Sequence, residues 1–393
     1  MTKKYISLLL LISLLCSLCA CGAPTEQPED TTPPATTVPS VDLTPTDADK
    51  AQLNALYEGC TVYHGEAHDH ANTGRRSDGK ATLAEWKEGM ASLGMDFATI
   101  MDHRQTDHMY LEDWDDTMFI GGSEAMTYIT DLGIKDNKLH YNMIFSDVES
   151  FEEVLREFPY EFIFADGLFE YLPFTTPQFQ ALIASIKEHG GMFVLVHPKS
   201  SGYINSEDPL KYWFADWTGL EVWYSYNDRD MNNGANPKNY QLWLDLLAAG
   251  KYVWATAGHD QHKDPSTTSL TTLYAEEKTS ASFLSHMAVG DTTCGAIGIR
   301  MAIGSTKTGG QTDFTGKRLS ICVGDFHESV DPSHSYRMDL YDDTGVICSQ
   351  PISSTEENWF ALDAAQTAKF YRAEIYDETA GVIVAIGNPI WNQ

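Results

Sequence analysis

The chain has 393 residues, with 26 Lys and Arg against 56 Asp and Glu, a formal charge of −30 at pH 7. At about 150 residues per domain this length predicts two or three domains. Hydrophobic content of 42% and aromatic content of 11% supply a packed core and exclude a disordered chain, while the acid excess argues against a nucleic-acid or anionic-lipid surface.

Residues 1–20 read as an export signal. Lys3 and Lys4 precede an apolar stretch from Ile6 to Leu18, which is far short of the roughly 20 residues a membrane-spanning helix needs. Leu18-Cys19-Ala20-Cys21-Gly22 follows. It resembles a bacterial lipobox, in which the last Cys becomes the lipidated N-terminus. The plainer alternative is an ordinary signal peptide cut after Ala20. Either form predicts an exported protein, and the lipobox predicts one anchored to the outer face of the membrane through Cys21. Residues 21–50 read as a tether, because Pro24, Pro28, Pro33, Pro34, Pro39 and Pro45 alternate with Thr, Ser and acidic residues and such a stretch buries almost nothing.

From residue 51 the pattern becomes globular. Short apolar runs at 60–66, 96–101, 118–122, 139–145, 192–196, 220–224 and 252–257 predict strands. Helices are expected between several of them. Thr82 to Leu93 starts with an N-cap Thr, carries Glu85 three residues on and stops at Gly94. Pro177 to His189 and Tyr240 to Ala249 are each closed by Gly. This alternation over 51–290 predicts a largely parallel sheet or barrel. Over 291–393 helical periodicity disappears, and runs at 318–323, 336–341, 369–375 and 381–386 predict a small antiparallel β-sandwich domain. Cys60, Cys294, Cys322 and Cys348 show no zinc spacing and read as isolated small core residues.

The informative segment is His64-Gly-Glu-Ala-His68-Asp-His70. Alternation along a strand puts His68 and His70 on one face, about 7 Å apart, where two imidazoles can grip one metal. Glu66 shares that face by the same count and could orient a ligand from behind. An exposed polar strand end is the plain alternative for this pair alone. However, Asp102-His103, Glu124, His140, His197, Asp260 and His262 also fall at or near apolar runs. In barrels of parallel strands the C-terminal strand ends converge on one mouth, so this recurrence predicts a shared metal site.

These residues resemble the PHP (polymerase and histidinol phosphatase) superfamily of metal-dependent phosphoesterases. Its first motif, Asp-Leu-His-x-His-Thr-x-x-Ser-Asp-Gly, is similar to Glu66-Ala-His68-Asp-His70 followed by Ser77-Asp78-Gly79. Three extra residues, Arg75 and Arg76 among them, lengthen the segment, and Glu66 replaces an Asp. Met101-Asp102-His103, Gly122-Ser-Glu124, His197-Pro198 and Asp260-Gln-His262 follow in the family's order. Thr106-Asp107-His108 is a second literal match, but His103 directly follows the apolar run. The resemblance implies an α/β fold, a distorted (β/α)7 barrel, with the β-sandwich after it.

It also implies two or three divalent metal ions, with mixed N and O ligands suiting Zn, Mn or Fe. His68, His70, Glu124 and Asp260 would hold one, and Glu124 would bridge to a second with His140 and His197. Asp78, His103 and His262 would hold a third. Glu124, Asp260 and Asp102 are the implied catalytic carboxylates. Arg75, Arg76, Arg104 and Lys199 flank the motifs and suit an anionic substrate. The implied activity is ester hydrolysis by a hydroxide shared between bridged ions, on a small phosphorylated substrate. Carbamate or other carboxyl-type esters are the alternative, and a ligand-binding surface lipoprotein is the alternative of another class. His189, His286, His327 and His334 are expected at the surface.

Overall fold

The computed structural model describes residues 41–74, 77–159, 163 and 171–393. The export signal, Cys21, Arg75 and Arg76 lie outside the described residues. The seven apolar runs form strands β1 (Thr61–Asp69), β2 (Phe97–Ile100), β3 (Phe119–Ile129), β4 (Lys138–Phe145), β6 (Met192–Val196), β7 (Thr218–Tyr224) and β8 (Val253–Gly258), and three strands that those runs do not predict join them, β5 (Leu172–Phe174), β9 (Thr271–Ala275) and β10 (Thr292–Gly295). One sheet carries β9, β1, β2, β3, β4, β6, β7 and β8 as neighbours in that order. β1, β2 and β3 are parallel, as are β6, β7 and β8. The N–H of Asp260 donates to the carbonyl of His68 (2.7 Å) and that of His70 to the carbonyl of Gln261 (2.9 Å). The sheet therefore curls until the end of β8 meets the end of β1.

Two departures from regular strand–helix alternation shape the site. β3 does not stop at Gly122 but runs on through Glu124 to Ile129, placing Glu124 mid-strand. It then pairs antiparallel with β4, which is antiparallel to β6 as well. A reversed strand begins where its parallel neighbours end. His140, near the start of β4, thus lies at the same end of the sheet as His197, just beyond β6.

The helices follow their sequence signals closely. Leu83–Ser92 carries the Thr82–Glu85 capping box. Thr176–Glu188 has its own capping box, from Thr175 to Gln178. Asn236–Ala248 begins four residues earlier than its periodicity predicts, because Pro237 fits a first turn that lacks hydrogen-bonded N–H groups anyway. Trp86, Phe179 and Trp243, one from each helix, are wholly buried against the sheet. Among the described residues no helix is long and apolar enough to cross a membrane.

The boundary expected at 291 is not a break. β10 pairs antiparallel with β9 and with strand Val382–Gly387, so the sheet of the first half continues into the last hundred residues. Strands Ile297–Ile303, Arg318–Phe326 and Asn358–Asp363 belong to a second, antiparallel sheet. Ile299, Met301, Ile321, Met338, Leu340 and Ile375 form one core between them. The tether also ends earlier than residue 50. Leu43 is buried in this core, and Thr46 and Asp49 form a capping box that starts the helix Asp47–Leu56. The described residues form one compact unit. Cys60, Cys294, Cys322 and Cys348 are free thiols, the last three buried.

The two halves are latched by Asn388, which is fully buried. Its Oδ1 accepts from the N–H of Ala255 on β8 (2.7 Å) and its Nδ2 donates to the Ala255 carbonyl (3.1 Å). Asn388→Ala strands both backbone groups inside the protein, at about 1–3 kcal/mol each. A destabilisation of about 3 kcal/mol is expected in denaturant unfolding monitored by tryptophan fluorescence.

Candidate metal centre

Glu124 is the hub. Its side chain is 1% exposed, and imidazoles face both its oxygens. Oε1 lies 2.6 Å from His140 Nδ1 and 3.1 Å from His197 Nε2. Oε2 lies 3.1 Å from His103 Nδ1, 3.4 Å from His70 Nε2 and 3.7 Å from His68 Nε2. Asp260 Oδ1 stands 3.0 Å from His70 Nε2, and Asp78 Oδ1 stands 3.2 Å from His262 Nε2.

Three adjoining groups result, each with its ligand atoms within 4.8 Å of one another: His68, His70, Glu124 and Asp260; Glu124, His140 and His197; and His70, Asp78, His103 and His262. The structure thus brings together all nine side chains that the sequence singles out as metal ligands. His70 additionally reaches the third group.

The donor set fits cations. His68 Nε2, both ring nitrogens of His70, His103 Nδ1, Asp78 Oδ1 and Asp260 Oδ1 are buried without a hydrogen-bond partner. Orphaned polar atoms are costly unless something else satisfies them. The local field is negative as well. Burial opposes the charged form of His68, yet the carboxylates of Glu221 and Glu124 outweigh it and raise its pKa. Burial likewise works against the Glu124 carboxylate, but His103 and His140 hold its pKa well below the ordinary range.

Three residues here have left-handed backbone: Arg104 (φ 56°), His197 (φ 31°) and Asp260 (φ 52°). Such strain, about 1–3 kcal/mol each, persists where surrounding structure over-determines it. Glu221, which no local sequence pattern singles out, is part of that support. It is 1% exposed. Its Oε1 is 2.9 Å from His68 Nδ1, and its Oε2 accepts from the backbone N–H of His197 at 2.7 Å. One carboxylate so fixes two ligand candidates, turning His68 Nε2 toward Glu124 and Asp260. Gly258 makes room, since a Cβ there would stand 2.2 Å from Glu221 Oε1 and 2.7 Å from His68 Cβ.

Several expectations need correction. Strand alternation puts Glu66 behind His68 and His70, but the β1–β2 register shifts between Glu66 and Asp69. That irregularity sends Glu66 to Asp69 and His259 instead, and Glu221 does the orienting. Asp102 is not in any of the three groups. Its oxygens accept from the Ala71 N–H (2.9 Å), Ser77 Oγ (3.1 Å) and Thr73 Oγ1, and lie 3.3 Å from His108 Nδ1. It is a positioning residue that holds Ala71, Thr73 and Ser77, and His108 is a buried partner to it. Lys199 lines the cavity, but its ammonium donates to Ser206 O (2.9 Å) and Tyr212 Oη (2.7 Å), so it shapes a loop rather than grips a substrate. Arg104 is 1% exposed and does not line the cavity. His286 and His327, expected at the surface, are buried.

The groups open into a cavity of about 1540 Å³. Tyr203 and Tyr224 stand over His197, with ring centroids 5.2 and 4.9 Å from its own. Asp136, Glu207, Asp228 and Asp245 share the outer wall with Arg229 and Lys238.

No family model matches the chain, and no curated protein matches it. Solved structures that resemble it include a protein of Bifidobacterium adolescentis provisionally described as a metal-dependent phosphoesterase. That match has 17% identity and a TM-score of 0.31, covering 50% of this chain and 87% of the other. Another is the lesion-specific endonuclease Q of Pyrococcus furiosus, at 14% identity and TM-score 0.40, covering 59% of this chain and 57% of the other. Endonuclease Q bound to a duplex with an abasic lesion matches at 12% identity and TM-score 0.40, over 59% and 58%. All three are remote likenesses, and the chemistry rests on this chain's own side chains.

Partners that orient metal ligands are typically worth about 10–100-fold in metal affinity. Glu221→Gln keeps the shape but removes the charge that holds the His68 ring. A drop of that size is expected in zinc affinity by competition with a chromophoric chelator, with circular dichroism unchanged.

Proposed function

We propose that the chain is a metal-dependent hydrolase, with phosphate esters as its substrate class. The observation that carries this reading is the set of three contiguous ligand groups, two joined through Glu124 and the third joined to them through His70. Bound there, divalent ions would lower the pKa of a water and neutralise charge on the ester. The chain's own residues do the rest. Glu124, between two groups, lets cations sit close together. Glu221 and the strained backbones of His197 and Asp260 fix the geometry in advance. Tyr203 and Tyr224 keep their phenolic protons, since burial and the nearby carboxylates push both pKa values well up. They are placed to donate to substrate oxygens.

Charge favours an anionic ester over a neutral one. The three groups contain three carboxylates, Asp78, Glu124 and Asp260, and otherwise only imidazoles. Three dications would leave a formal excess of three positive charges at the cavity floor, which attracts a phosphate and does little for a carbamate. The mixed outer wall, with its acids, suits a small molecule better than a polyanion. Carbamate or carboxyl-ester hydrolysis remains the second reading, because the same ions activate the same nucleophile. A screen of phosphomonoesters, phosphodiesters and carbamate esters with Mn²⁺ and Zn²⁺ decides between them, and turnover of carbamates alone would overturn the phosphoester reading.

Glu124→Gln preserves size and removes the bridging charge. It is expected to lose metal and at least about 10³-fold in kcat/KM, roughly 4 kcal/mol of transition-state stabilisation, while remaining folded. Near-native turnover would move the reading to another carboxylate, with Asp260 first.

On this reading the enzyme works outside the cytoplasm, tethered through a lipidated Cys21. What supports this is the Leu18-Cys19-Ala20-Cys21 box and the Pro-rich stretch after it. Cys21→Ser should abolish lipid labelling and release the protein from the membrane fraction. Unchanged retention and processing would count against the anchor.

A further inference from the structure

Behind the strand that carries His68 and His70 lies a second polar cluster that the hydrolytic reading leaves unused. Glu66, Asp69 and His259 are each 0% exposed, and their ligand atoms lie within 4.8 Å of one another. Asp69 alternates with His68 and His70, so it leaves β1 on the opposite side. The register shift between Glu66 and Asp69 brings Glu66 round to join it.

The cluster is short of donors. Glu66 Oε1 accepts from the Ser266 N–H at 2.9 Å. Glu66 Oε2, both Asp69 oxygens and both ring nitrogens of His259 are buried without a hydrogen-bond partner. Two carboxylates in such a place need compensating positive charge, from a cation or from protons. A divalent cation balances two carboxylates and a neutral imidazole to zero. The ring is also set up to be a ligand. His259 Nε2 lies 3.3 Å from Asp228 Oδ1 and Nδ1 lies 3.8 Å from Glu66 Oε1. With the proton on Nε2, on the side of Asp228, Nδ1 keeps its lone pair for the cation. Asp228 stands near Nε2 without a hydrogen bond to it, in the place where a carboxylate commonly supports a metal-bound imidazole.

We infer that Glu66, Asp69 and His259 form a separate structural site for one divalent cation, of the zinc or manganese class, behind β1. Its two carboxylates and one imidazole suit those ions over softer metals. Complete burial leaves no room for substrate, so the ion would brace β1 against the loop that carries His259 and Ser266.

Crystals of the full chain grown with Zn²⁺, and separately with Mn²⁺, test this by anomalous diffraction on each side of the absorption edge. A peak enclosed by Glu66, Asp69 and His259 is expected, distinct from any peak beside Glu124. In parallel, metal content by plasma mass spectrometry should fall by one equivalent per chain in His259→Ala relative to the unaltered protein. No peak behind β1 at saturating metal overturns the site and means that protons neutralise the two carboxylates. The wild-type map decides this even if the variant does not fold. The outcome is also separate from the hydrolytic reading, which stands or falls on the peaks beside Glu124 and on turnover.

Discussion

A carboxylate buried at the middle of a strand is normally a liability, and here the architecture is arranged round one. Glu124 remains ionised inside the protein only because imidazoles from β1, β4 and the segments after β2 and β6 all point at it. Each needs its own piece of topology. The reversal of β4 brings in His140, and the backbone bonds between the ends of β1 and β8 bring Asp260 to His70. A flat sheet of the same strands would leave these side chains spread along an edge.

The layer behind the ligands is as constrained as the ligands themselves. Glu221 commits one oxygen to a ring and the other to a backbone N–H, so His68 and His197 are not independently adjustable. Asp102 does the same for Ala71 and Ser77, the residue directly before Asp78. Such preorganisation means that cations would meet donors already aimed, rather than gathering them from mobile chains. It also means that damage to Glu221 or Asp102 should affect the centre without touching any bound ion.

How much of this was legible in the sequence depends on whether the signal was local. His68, His70, His103, His197 and Asp260 each follow or end a short apolar run, and the strand boundary is written in the adjacent residues. Thr82 with Glu85 announces its helix in the same way. Glu221 gave no such sign, because within Leu220–Tyr224 it looks like the polar member of an alternating strand, and its partner His68 is 153 positions away. Glu66 misled for a physical reason, since alternation holds only while the pairing register does and it slips after Glu66. The direction of β4 was likewise unreadable, because an apolar run is the same in either orientation. At residues 43–50 a tether-like composition concealed the Thr46–Asp49 capping box, whose effect depends on a core further along the chain for Leu43 to enter.

The net charge of −30 does not conflict with the proposed anionic substrate, because field and charge are set at different distances. Over a Debye length of about 8 Å at physiological salt, the distant surface acids are largely screened. A cluster of dications at the floor of the cavity would not be, since the low-dielectric wall concentrates its field toward the opening. The same separation explains why a ligand set rich in imidazole suits an acidic protein. Imidazoles bind cations without adding negative charge, so a centre loaded with three dications would stay positive, whereas nine carboxylates in the same places would leave it negative and repel an anion.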